Sequence, residues 1–155
     1  MEPDFIDTVL RMGAAVIVGI IVGTNRDLAG KPIGMRTLGL VSLGAAVVSL
    51  ATIRLDLFAG HPDAMSRVVQ GVIQGIMGGI GFIGAGVILR DHESDTIKGL
   101  TTAATVWVTA ALGIACALAA WTIVAVAVAL ALATLVGVGW AESLRASADK
   151  PTERK

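Results

Sequence analysis

Few side chains in this sequence could do chemistry, and most of them are embedded in apolar stretches. Asp7 and Arg11 stand four positions apart, so a helix brings them to one face, where they can pair. Arg11 heads a row of small residues, Ala15, Gly19 and Gly23, which turns it toward protein. The other reading is an anchor whose guanidinium snorkels to the headgroups. Gln70, Gln74, Thr101, Thr102, Thr105 and Thr109 are further polar groups inside apolar segments. They either hydrogen-bond between helices or line a hydrated path. Trp107 stands about 200° round a helix from Thr105 and so faces away from that hydroxyl row.

What this set excludes is more definite. No Asp or Glu falls in the central parts of the second to fifth apolar segments. Mg²⁺ takes oxygen ligands, usually carboxylates and retained waters, and proton relays use buried carboxylates. A tight ion site at mid-depth is therefore not expected, nor a bound metal or other cofactor. His61 and His92 fall in loops on opposite sides and cannot share a metal. Asp91, His92, Glu93 and Asp95 form either a solvated loop or a weak attractor of divalent cations. A single cysteine, Cys116, makes no intrachain disulfide. No Ser-His-Asp, Cys-His or CxxC arrangement is present, so no enzymatic activity is expected. Gly79, Gly81 and Gly84 have the spacing of a dinucleotide loop, but they lie in an apolar segment rather than at a strand-to-helix turn. No basic stripe with interleaved aromatics invites nucleic acid.

The elements that hold these residues are membrane helices. The chain is 55% hydrophobic and 15% charged, against about 25% charged for soluble domains. Residues 12–25, 37–53, 68–89 and 99–141 carry no charge. A span needs about 20 apolar residues, so the last stretch is long enough for two. The expected architecture is all-α: a polytopic membrane protein built as a compact bundle of five transmembrane helices near 5–23, 37–53, 68–89, 99–118 and 121–140. Trp121 and Trp140 mark the two interfaces of the fifth, which puts the turn before it near Ala117–Ala120. Five spans put Arg26, Lys31, Arg36, Arg90, Lys98 and the basic C-terminal residues on one side, predicting an outer N-terminus and a cytoplasmic C-terminus. Residues 1–143 form the membrane domain and 144–155 a polar cytoplasmic tail, expected to be disordered. The first segment lacks a basic n-region and a cleavage site, so it is not expected to be a removable leader.

Each Gly in a soluble helix costs about 1 kcal/mol relative to Ala, yet Gly78, Gly79, Gly81, Gly84 and Gly86 crowd one segment. In lipid, small residues let backbones approach closely. Gly71, Gly75 and Gly79 form a double GxxxG row, and Gly81, Gly84 and Gly86 continue the small residues. This predicts helix packing with the third helix at the centre, and self-association into a homo-oligomer. The alternative is an unwound Gly81–Gly86 segment lining a cavity.

Three blocks in order carry a resemblance: "LRMGAAVIVGIIVGTNRDLAGKPIGMRT", "GGIGFIGAGVILR" and "KGLTTAATVWVTAALGIA". Over about residues 9–120 the chain resembles the membrane domain of the MgtC/SapB family. The match makes Asn25, Arg26, Asp27 and Arg36 candidate functional residues, in the place of the family's Gly-x-Glu-Arg-Glu turn and Gly-x-Arg-Thr. Asn25 departs from the family's Glu. Some members have Asn where Thr101 stands and Cys where Val108 stands. Longer members add a C-terminal cytoplasmic domain, which this shorter form is expected to lack. The resemblance implies a bacterial inner-membrane protein tied to growth under magnesium limitation and, in pathogens, to survival inside phagocytes. Two functions fit these residues: a non-enzymatic regulator that lies in the lipid bilayer and docks on another membrane protein or complex, and a small channel or transporter for an ion or small solute.

Overall fold

A computed structural model describes residues 3–54, 62–91 and 96–148. Its helices are α1 (Pro3–Leu28), α2 (Met35–Ile53), α3 (Pro62–Val87), α4 (Leu100–Ala117) and α5 (Trp121–Ala148). Four of these, α1 to α4, are long and apolar enough to cross a membrane. Between α3 and α4 the chain also forms a two-stranded antiparallel hairpin, β1 (Leu89–Asp91) with β2 (Thr96–Lys98), an addition to the all-helical expectation. His61 and the loop residues His92, Glu93 and Asp95 lie outside the described residues.

Local chemistry explains the helix ends. Gly30 has φ +63° and closes α1, with the Gly30 and Lys31 N–H groups donating to the carbonyls of Asp27 and Arg26 at 3.0 Å each. Asn25, Arg26 and Asp27 therefore sit in the last turn of α1, which runs past the expected end at 23. The expected turn before α5 is present, with Ala119 at φ +53° and the Ala120 N–H donating to Ala115 O at 3.0 Å. Helix α3 begins at Pro62 rather than 68, because a Pro fits the first turn and Asp63 favours the N-terminal dipole. It stays helical through Gly81–Gly86, so the unwound alternative falls. At the other terminus α5 continues to Ala148. Residues 144–148, expected in a disordered tail, are helical because Leu144, Arg145, Ala146 and Ala148 are compatible with a helix and no breaker comes before Pro151. Residues 149–155 lie outside the described residues.

Packing overturns one expectation. Helix α4, not α3, is the centre: 56% of its apolar window is buried, against 6% for α3. The close approaches are made by other glycines. A Cβ at Gly19 would lie 2.5 Å from the Leu38 carbonyl oxygen, and one at Gly23 would lie 2.5 Å from Met35 Cα. At Gly113 it would collide with the Ser42 carbonyl. Of the predicted packing row, Gly84 alone meets a neighbour, Ala103; a Cβ at Gly71, Gly75, Gly79, Gly81 or Gly86 would find nothing within 4 Å. The reason is geometric. A ridge of small residues permits contact but does not choose the partner: on α2 the buried Gly39 lies against α1, and the buried Ser42 lies against Gly113 of α4. Leu38, Val22, Val106 and Cys116 fill the core between α1, α2 and α4.

This arrangement separates two glycines that look alike in sequence. Gly113→Ala is expected to destabilise the bundle by about 1–3 kcal/mol through overpacking. Gly13→Ala, where a Cβ meets nothing within 4 Å, is expected to raise stability by up to about 1 kcal/mol. Thermal unfolding of the two variants in one mild detergent checks the opposite signs.

Candidate functional site

The polar residues gather at the two ends of the α1–α2–α4 seam. At the first end the Arg11 Nε pairs with Asp7, 2.8 Å from Oδ2, and the Arg11 Nη1 donates to the Ala117 carbonyl at 2.7 Å. Ala117 is the last residue of α4, where carbonyls lack intrahelical partners and the dipole favours a cation. Arg11 therefore ties α1 to α4 instead of only anchoring in headgroups. Arg54, just past the end of α2, donates from Nη2 to Asp7 Oδ2 at 2.6 Å and also pairs with Asp4. Two cations thus share the Asp7 carboxylate and join three helices.

At the second end Asp27 and Arg26 diverge. The Met35 N–H donates to Asp27 Oδ2 at 3.0 Å. Asp27 thereby serves the start of α2, whose own N-cap position, Gly34, has no side chain to offer. Arg26 turns inward, is 4% exposed, and donates from Nη2 to the Thr102 hydroxyl. Its Nε has no hydrogen-bond partner among the described residues. Among the described residues no carboxylate pairs with it. It points at the first turn of α4, where the dipole disfavours a cation. The C-terminal dipole of its own helix α1 favours the charge, so the cost comes from burial without a carboxylate.

The other sequence candidates scatter. Asn25 is half-buried in the last turn of α1, and Arg36 and Thr101 are exposed. Thr105 and Thr109 are buried, but each hydroxyl donates back within α4, to Thr101 O at 2.7 Å and to Thr105 O at 2.8 Å. They neither bridge helices nor line a path. Trp107 faces outward, 49% exposed. Gln70 and Gln74 lie on the exposed side of α3, away from the threonines. Arg11, Gln70 and Thr105 do not converge.

Three residues escaped the sequence reading. Ser42 and Ser49 are buried on α2, their hydroxyls without a partner among the described residues, and Arg54 completes the first cluster. The serines were findable: Gly39, Ser42, Ala46 and Ser49 recur at helical spacing and form a small-residue face. The role of Arg54 had no local signal, since its partners lie 47 and 50 residues away. A cavity of about 10 Å³ beside Ser49, Thr52, Ile73 and Leu118 is barely large enough for one water. Among the described residues no group of three or more His, Cys, Asp or Glu is placed to hold a metal.

Four apolar helices with charged groups confined to their end regions define a multi-pass helical membrane protein. Comparison with known proteins names the kind: residues 12–144 match the MgtC family, and the chain belongs to it. It is 37% identical over 144 residues to Protein SrpB of Synechococcus elongatus, covering 88% of this chain and 77% of that one. Protein SapB of Bacillus subtilis is 36% identical over 112 residues, which is 70% of this chain and 47% of that one. Protein MgtC of Salmonella typhimurium is 37% identical over 110 residues, 71% of this chain and 43% of that one. The chain thus spans less than half the length of the SapB and MgtC relatives. No solved structure matches it.

The Arg26–Thr102 contact yields a specific expectation. Thr102→Val should cost about 1–3 kcal/mol, because it strands a buried donor. Adding Arg26→Met should recover most of that loss, since an apolar isostere no longer needs the hydroxyl. A double-mutant cycle by thermal unfolding in detergent reads both numbers. A double variant no more stable than Thr102→Val would show that Arg26 has other support.

Proposed function

We propose that this chain is a non-enzymatic MgtC/SapB-type protein of the bacterial inner membrane that acts by contact with another membrane protein. Its setting is adaptation to magnesium limitation or intracellular stress, as its family suggests. In this reading it crosses the bilayer five times, with the N-terminus outside and the C-terminus in the cytoplasm. The asymmetry of Lys and Arg supports that orientation.

The carrying observation is how the seam is filled. In the seam Gly113 rests on the Ser42 backbone, and Thr105 and Thr109, candidates to line a path with α3, use their hydroxyls on their own helix. Leu38, Val106 and Cys116 close the remaining space. A permeating ion would need a wet row of oxygens in place of these contacts. Such a seam favours a rigid body that presents its outer surface to a partner over the channel or transporter reading.

Reconstitution separates the two. Vesicles carrying the purified protein are expected to show no more Mg²⁺ or H⁺ flux than empty vesicles. Purification from native membranes in mild detergent is expected to bring down one reproducible membrane protein. Protein-dependent flux that Thr105→Val abolishes would overturn the reading, as would repeated purification with no partner.

A further inference from the structure

Helix α3 presents a face left open by every other described residue. Arg67, Gly71, Gln74, Gly78, Gly81 and Ala85 follow one another at alternating spacings of four and three, the heptad rhythm of a left-handed helix pair. All six are exposed. A stripe of small residues alone says only that some helix can come close. Gln74 says more. It stands at the middle of α3 (Pro62–Val87), on the lipid side, with no hydrogen-bond partner among the described residues. An unsatisfied amide in hydrocarbon costs several kcal/mol, and no water is there to relieve it. A primary amide both donates and accepts, so it is its own complement across a two-fold axis.

Charge points the same way. Asp63 and Arg67 stand one turn apart on this face, both exposed and neither ion-paired among the described residues. All copies of a chain insert in the same direction, so two α3 helices related by a two-fold axis run parallel. Each Asp63 then comes within reach of the partner's Arg67, and the reverse contact follows by symmetry. Phe82, 85% exposed, is the large side chain flanking the stripe. Beside it a groove of about 520 Å³ opens between α2 and α3, bordered by Gly44, Gly75 and Gly79. A knob and a hollow on one surface suit a contact between identical chains.

We infer that α3 is a homodimer interface: two copies pair in parallel along the Arg67–Ala85 stripe, with Gln74 hydrogen-bonded to the partner's Gln74. The contact goes beyond the regulatory reading and stands whether or not the protein docks on another. It also gives the α3 glycines a use that the single chain does not.

Separately labelled copies in lipid vesicles, followed by energy transfer over a range of protein-to-lipid ratios, measure the pairing. Gln74→Leu is expected to weaken dimerisation about tenfold, as loss of an interhelical hydrogen bond in lipid would do. Its detergent melting temperature should stay unchanged, since Gln74 has no hydrogen-bond partner among the described residues. Gln74→Asn, which keeps the amide, should retain part of the affinity. In a Cys116→Ala background, Gly78→Cys should cross-link on oxidation and Val126→Cys, on the exposed side of α5, should not. A wild-type chain that stays monomeric at every ratio would overturn the interface. So would Gln74→Leu pairing as well as wild type, or cross-links at position 126 in place of 78.

Discussion

Gly113 lies against the carbonyl of Ser42, and the rest of the bundle follows from how near that brings α4 to α2. Lipid tails are as apolar as leucine, so membrane helices gain little by merely meeting. Their attraction comes from dispersion, which falls steeply with distance. A glycine at the crossing removes the one atom that would hold the backbones apart. Gly19 against Leu38 and Gly23 against Met35 do the same for α1 and α2. The three helices thus share a seam of small residues, with Leu38, Val22 and Val106 filling its flanks.

Polar groups finish what close contact begins. The ends of a helix carry backbone groups without partners, and at a membrane boundary these are expensive to leave unmet. Here the charged residues of α1 serve the ends of its neighbours. Arg11 takes up a carbonyl at the end of α4, and Asp27 takes up an N–H at the start of α2. Both have the sign that the helix dipole favours. Arg26 suits the end of its own helix but faces the start of α4 from a buried position, and its Thr102 hydroxyl is a modest compensation. A buried cation without a carboxylate among the described residues is where a functional constraint is most economically sought. It falls in the same turn where the family resemblance located its charged motif.

The bundle leaves its surface unevenly used. Helix α4 is spent on packing, and its outward Trp107 is one of few large groups it shows to lipid. Helix α3 is the reverse: it touches α4 along one edge through Gly84 and leaves its glycines and both glutamines outside. A central helix cannot also be an interface, so recognition of any second chain falls to the peripheral helices. That division explains how one small protein can hold two sets of small residues, one turned inward for folding and one turned outward.

Much of this was readable in the sequence alone. Uncharged runs longer than a bilayer is thick demand apolar helices, because only a helix satisfies its backbone within a single segment. The turn at Ala117–Ala120 was visible through the spacing of two tryptophans, and the Asp7–Arg11 pair through a four-residue interval. These are local consequences of helical periodicity. Which glycines would meet a neighbour was decided only in three dimensions. Gly71, Gly75 and Gly79 spell the stronger packing motif, yet Gly19 and Gly113 make the contacts, because a motif records what a surface permits and not what lies opposite it. Arg54 reaching Asp7, Arg26 reaching Thr102 and Asp27 reaching Met35 are likewise tertiary decisions. Each joins different helices, and such pairing is set by how the helices dock, which periodicity along one helix does not encode.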